Sequence, residues 1–132
     1  NIERIQLREP NDNNEIFALY LPLNEIHELG LLYLQYELTL KGYQSIYLGQ
    51  SVPLESLEEI QKLYPNVVFA TYLTVEPQTE NLKEYINDLS KLILNYDNKA
   101  WILGRKVSEI EKNSPPNNVK LFNRIKDLLN II

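Results

Sequence analysis

Apolar residues fall into short unbroken runs that alternate with longer stretches in which they recur every three or four positions. Ile16-Phe17-Ala18-Leu19-Tyr20-Leu21 is a continuous run of strand length, ended by Pro22. An unbroken run of this kind needs cover on both faces, as in a parallel sheet. Over 27–41, Leu31, Leu34 and Leu38 form one row at helical spacing, and Leu32, Tyr36 and Leu40 form another, with Gly42 placed as a stop. Ile46-Tyr47-Leu48-Gly49 predicts a second strand, and Pro53 opens a helix over 53–64 that Pro65 ends. Val67–Thr71 predicts a third strand, rich in β-branched residues. Leu82, Ile86, Leu89 and Ile93 mark one face of a helix over 79–95. Ala100–Leu103 predicts a fourth strand, 105–112 a short helix, Val119–Phe122 a weak fifth strand and 123–131 a closing helix.

Five alternations of strand and helix predict an α/β domain, a parallel sheet sandwiched between two helical layers. Right-handed crossovers reduce the choices, and the flavodoxin-like (Rossmann-like) order 2-1-3-4-5 is expected. Ligands of such folds sit beyond the carboxyl ends of the strands, near the switch point. The loop after the first strand is therefore the first place to look for chemistry. Residues 1–14 are mostly polar and end in Pro10-Asn11-Asp12-Asn13-Asn14, so they are expected to be a linker from an upstream domain, with 15–132 as the domain proper. The absence of an initiating Met adds to the expectation that the chain is processed or cut from something larger.

Composition narrows the chemistry. With 132 residues and 44% hydrophobic positions, one packed domain is expected. There is no Cys, which removes thiolate metal sites, disulfides and a cysteine nucleophile, and the single His removes any site of several His ligands. Thirteen basic against eighteen acidic residues give a net charge of −5, the wrong sign for gripping a phosphate backbone. No apolar run reaches the length of a membrane span, and no signal peptide is visible, so a cytoplasmic protein is expected. The acidic clusters Glu55-x-x-Glu58-Glu59 and Glu109-x-Glu111 read as solvated helix faces, and Trp101 as a core residue. There is no Gly-rich phosphate loop, no Gly-x-Ser-x-Gly elbow, and no Asp at the end of the third strand, where a receiver domain would need one.

The only His, His27, lies in the loop after the first strand, with Glu25 two residues before it and Gly30 three after. A carboxylate on one imidazole nitrogen orients the other outward, the arrangement that aims a metal-binding His. A glycine early in a helix costs stability, so Gly30 points to a close approach. The spacing Glu25-x-His27-x-x-Gly30 resembles the Asp/Glu-x-His-x-x-Gly signature of cobalamin-binding domains. The likeness runs without a gap through Gly42-Tyr43 and Tyr47-Leu48-Gly49-Gln50-Ser51-Val52-Pro53-Leu54-Glu55. In His27–Leu32 and Tyr47–Pro53 it is closest to the C-terminal effector domain of bacterial MerR-type transcription regulators.

The resemblance implies that His27 is the lower axial ligand of a cobalamin cobalt, with Glu25 behind it and Gly30 beside the nucleotide tail. Two further family motifs line the tail groove, and here the chain departs from them. Where the family has Ser-x-Leu, ungapped counting places Tyr72-Leu73-Thr74; a shift of one would put Thr71 at the Ser. Where the family has Gly-Gly, this chain has Gly104-Arg105. If Tyr72 and Arg105 turn into the groove they fill it; if they turn out it stays open. The expectation is a sensor and oligomerisation domain, not itself an enzyme, that forms a homo-oligomer and reaches DNA only through a domain absent from this chain. The alternatives are a ligand-free interaction domain and a cobalamin-carrying module of a methyltransferase or isomerase.

Overall fold

The computed structural model describes residues 15–110 and 115–132, so the linker expected at 1–14 and the end of the helix expected at 105–112 lie outside the described residues. The strands are β1 (Ile16–Pro22), β2 (Gln44–Val52), β3 (Val67–Tyr72), β4 (Lys99–Leu103) and β5 (Val119–Leu121). The helices are α1 (Leu29–Leu40), α2 (Leu54–Leu63), α3 (Thr79–Leu94) and α4 (Ile125–Leu129), with a 3-10 turn at Arg105–Glu109. All strand pairs are parallel, in the order β2-β1-β3-β4-β5.

Each strand sends alternate side chains to two separate cores. Tyr20, Phe69 and Ile102 face Leu82, Ile86 and Leu89 of α3 and Leu57 of α2. Phe17, Leu19 and Trp101 face Leu31, Leu34 and Leu38 of α1 and Leu128 of α4. β1 is buried along its whole length, as its unbroken apolar run requires. Trp101 packs edge-on against Phe17 and Phe122, at centroid distances of 5.5 Å each.

Three boundaries differ from expectation for identifiable reasons. β2 extends over nine residues, because as an edge strand it can carry the polar Gln44, Ser45, Gln50 and Ser51 while its backbone pairs with β1. The register slips twice near its carboxyl end, which brings Ser51 to the loop after β1. α1 starts at Leu29 and not at 27, because the amides of Ile26 and His27 are bonded to Glu25. The short helix expected over 105–112 is present as a 3-10 helix that ends at Glu109, where Ile110 turns to extended backbone. The two apolar rows of α1 also part company: Leu31, Leu34 and Leu38 are buried, whereas Leu32, Tyr36 and Leu40 face outward.

Candidate functional site

The sheet order places the switch point between β1 and β3, and the loops that follow these two strands meet there through one side chain. The Glu25 carboxylate is fully buried. Its Oε1 accepts from the backbone N–H groups of Thr74 (3.1 Å), Val75 (2.6 Å) and Glu76 (2.9 Å). Its Oε2 accepts from the N–H groups of Ile26 (3.0 Å) and His27 (3.1 Å), and from His27 Nδ1 at 2.6 Å. Burial pushes this carboxyl up, but the Val75 and Glu76 amides, the His27 ring and the His27 amide outweigh it and hold the pKa down at about 2. Glu25 is thus ionised and can only accept, so His27 Nδ1 carries the donated proton. Nε2 is left as the outward nitrogen of a side chain that is 55% exposed.

A second carboxylate braces the same loop from the other side. Glu28 accepts from the Tyr47 hydroxyl (2.5 Å) and from Gln50 Nε2 (2.6 Å). Burial, and after it the Glu28 charge, push the Tyr47 hydroxyl well above the usual tyrosine range, so it stays a donor. The Asn24 amide donates to Ser51 Oγ, and the Ser51 amide to the Glu25 carbonyl. The loop of 23–28 and the carboxyl end of β2 are therefore one hydrogen-bonded unit.

Beside His27 opens a groove of about 560 Å³, lined by His27, Leu29, Gly30, Tyr33, Tyr72, Thr74 and Ile125. Four of the residues singled out by sequence are brought together here: His27, Gly30, Tyr72 and Thr74, with Glu25 buried behind them. Ungapped counting gives the residue that faces the groove: Tyr72 belongs to the core shared with α1, whereas Thr71 is buried in register with Tyr20 and Ile102 on the opposite face. The Tyr72 ring turns inward and lies directly over Gly30; a Cβ built on Gly30 would come within 2.6 Å of it. Gly30 does mark a close approach, and the neighbour is Tyr72. Gly104 and Arg105 do not join the lining. Arg105 is exposed at the start of the 3-10 turn. Gly104, at φ +108°, lets that turn press against the backbone of Leu73. Leu29, Tyr33 and Ile125 were not anticipated; Leu29 and Tyr33 stood outside both rows read for the first helix, and Ile125 enters from a distant, short helix.

The architecture matches solved cobalamin-binding proteins. A cobalamin-binding protein from Desulfitobacterium hafniense DCB-2 aligns over 89% of this chain and 57% of its own length, with a TM-score of 0.63 and 17% identity. The monomethylamine corrinoid protein of Methanosarcina barkeri aligns over 98% of this chain and 61% of its own, with a TM-score of 0.70 and 12% identity. A chain of the methanol:cobalamin methyltransferase complex from Methanosarcina barkeri gives 0.65 and 12%, over 98% of this chain and 48% of its own. No family model and no curated protein matches the sequence. The class is thus a five-stranded α/β domain with the flavodoxin-like fold of cobalamin-binding domains. The chain spans between about half and three-fifths of the length of these structures. No helix among the described residues is long and apolar enough to cross a membrane.

Proposed function

We propose that this chain is a cobalamin-binding sensor domain of a MerR-type transcription regulator, with His27 Nε2 as the lower axial ligand of cobalt. One observation carries the cobalamin reading: the Glu25 carboxylate holds His27 Nδ1 at 2.6 Å and leaves Nε2 facing outward beside the groove. Among the described residues no three His, Cys, Asp or Glu side chains converge on a metal position. A lone imidazole suits a metal that arrives with most of its coordination shell filled, as cobalt does in a corrin. The groove supports the fit in its apolar walls and opposes it at one point, the Tyr72 ring over Gly30. A ligand tail entering against Gly30 has to displace that ring.

The regulatory half of the reading rests on the likeness in His27–Leu32 and Tyr47–Pro53. Those stretches are joined through Glu28, which accepts from Tyr47 and Gln50. A net charge of −5 suits an effector half whose DNA contacts are made elsewhere. On this reading the chain catalyses nothing itself, acts in the cytoplasm, and signals through its oligomeric state. The solved neighbours favour a second reading, a corrinoid-carrying module of a methyltransferase.

The test is retention of hydroxocobalamin through desalting in the dark, followed by the visible spectrum with and without His27→Ala. Retention with a spectrum that changes on His27→Ala supports the axial role. No retention at millimolar cofactor overturns it. In the full-length protein, operator binding that depends on the cofactor separates the sensor from the carrier, which would instead accept a methyl group from a donor.

A further inference from the structure

We infer that this chain selects corrinoids that lack a nucleotide tail, and that Tyr72 is the residue that turns the tail away. The inference rests on the reading of His27 as the cobalt ligand, and it names which corrinoid His27 would hold. A complete cobalamin brings more than the corrin ring: a benzimidazole base, and the ribose phosphate that ties the base to the ring. Both must be housed once an imidazole has replaced the base on cobalt. A cobinamide carries neither, and only exchangeable solvent occupies its lower cobalt face.

The room for a tail is taken by the chain's own atoms. Three ring carbons of Tyr72 lie 2.6–2.9 Å from where a Cβ on Gly30 would stand. The ring packs into the core beneath α1, at the end of a strand paired with Leu103 of β4. Pushing it aside opens that core. Gly104, the other glycine that the resemblance sets along the tail, is closed in the same manner: a Cβ there would run into the Leu73 carbonyl. The Leu73 backbone is pinned on both sides, its N–H donating to the Leu103 carbonyl (2.8 Å) and its carbonyl accepting from the Lys106 N–H (3.0 Å). Charge agrees with shape. The tail's phosphodiester is an anion, no Lys or Arg is among the described residues that line the groove, and the chain as a whole carries −5. A desolvated anion without a partner is costly. The His27 side chain, in contrast, is exposed, and the two loops that Glu25 joins also expose the apolar Leu23, Ile26 and Val75. The metal-binding end of the site is open and the tail-binding end is filled.

The test is equilibrium dialysis of the full chain, in the dark, against methylcobinamide and methylcobalamin, which share the upper cobalt ligand and differ in the tail. Overfilling a packed site costs a factor of about 10–100 in affinity, and methylcobinamide is expected to bind tighter by that factor. Its visible spectrum should shift on ligation by His27, the chain's only imidazole, and should not shift with His27→Ala. Because cobalamin's own base also competes with His27 for cobalt, the variants isolate the tail. Tyr72→Ser, and the milder Tyr72→Val with a side chain at home in a strand, should each tighten methylcobalamin by about 10-fold and leave methylcobinamide nearly unchanged. Circular dichroism checks that both variants fold. Equal affinity for the two corrinoids, or a preference that both variants leave unchanged, overturns the inference and leaves the His27 reading standing. Neither corrinoid held at millimolar concentration, or a methylcobinamide spectrum indifferent to His27→Ala, overturns that reading and the inference with it.

Discussion

Glu25→Gln is the sharpest perturbation the structure offers, because one atom exchange removes a charge on which two loops converge. A glutamine approximates the protonated acid: it has one oxygen to accept, and its amide group faces N–H donors that it cannot serve. The carboxyl titrates at about 2 in the fold against an ordinary value of 4.5. At about 1.4 kcal/mol per pH unit, the gap is worth about 3 kcal/mol of stability at neutral pH. The folded pKa lies below the unfolded one, so this contribution is complete above about pH 4.5 and drains away as pH falls towards 2. At pH 3 it should have fallen to about 1.4 kcal/mol by the same linkage. Urea unfolding read by Trp101 fluorescence, the sole Trp and 7% exposed, gives both numbers. A wild-type advantage under about 1 kcal/mol at pH 7, or one that does not shrink by pH 3, would refute the assigned role of the Glu25 cluster.

Three further outcomes follow from the site. His27→Ala should leave stability within about 1 kcal/mol of wild type by the same urea assay, since one exposed hydrogen-bond partner is lost, while abolishing the axial signature in the cobalamin spectrum. Tyr72→Ser should open the wall beside Gly30 and raise cobalamin affinity by about 10-fold or more in titration, a gain of ~1.4 kcal/mol; adding Arg105→Gly should bring nothing more, because that side chain is exposed and outside the lining. Gly30→Ala should cost about 1–3 kcal/mol in urea melts through overlap with the Tyr72 ring, at 2.6 Å from the new Cβ. In a Tyr72→Ser background the same change should turn stabilising, by up to about 1 kcal/mol, as alanine's helix propensity shows through.

The strands and their order were legible because the signals there are strong and local. β1 is unbrokenly apolar, and α3 keeps one clean row from Leu82 to Ile93. β2 was read short because an edge strand hides polar residues behind backbone pairing, which no side-chain pattern records. The grouping of Glu25, His27 and Gly30 was legible as a spacing. That Glu25 also collects the amides of Thr74, Val75 and Glu76 was not, since those bonds involve main-chain atoms fifty residues away. Side-chain direction was equally silent. Sequence placed Tyr72 and Arg105 at two positions on one groove, and only the pleat of β3 and the φ of Gly104 send one inward and leave the other in solvent.

The division of labour around Glu25 separates architecture from chemistry. Of the six donors on that carboxylate, five belong to the main chain and one to an imidazole. Main-chain donors survive any side-chain replacement short of proline, so the join between the two loops does not depend on the residue that would grasp a metal. A descendant of this chain could exchange His27 for almost anything and keep the loop in place. Glu25 has no such latitude: whatever the pocket holds, its scaffold is written in that position.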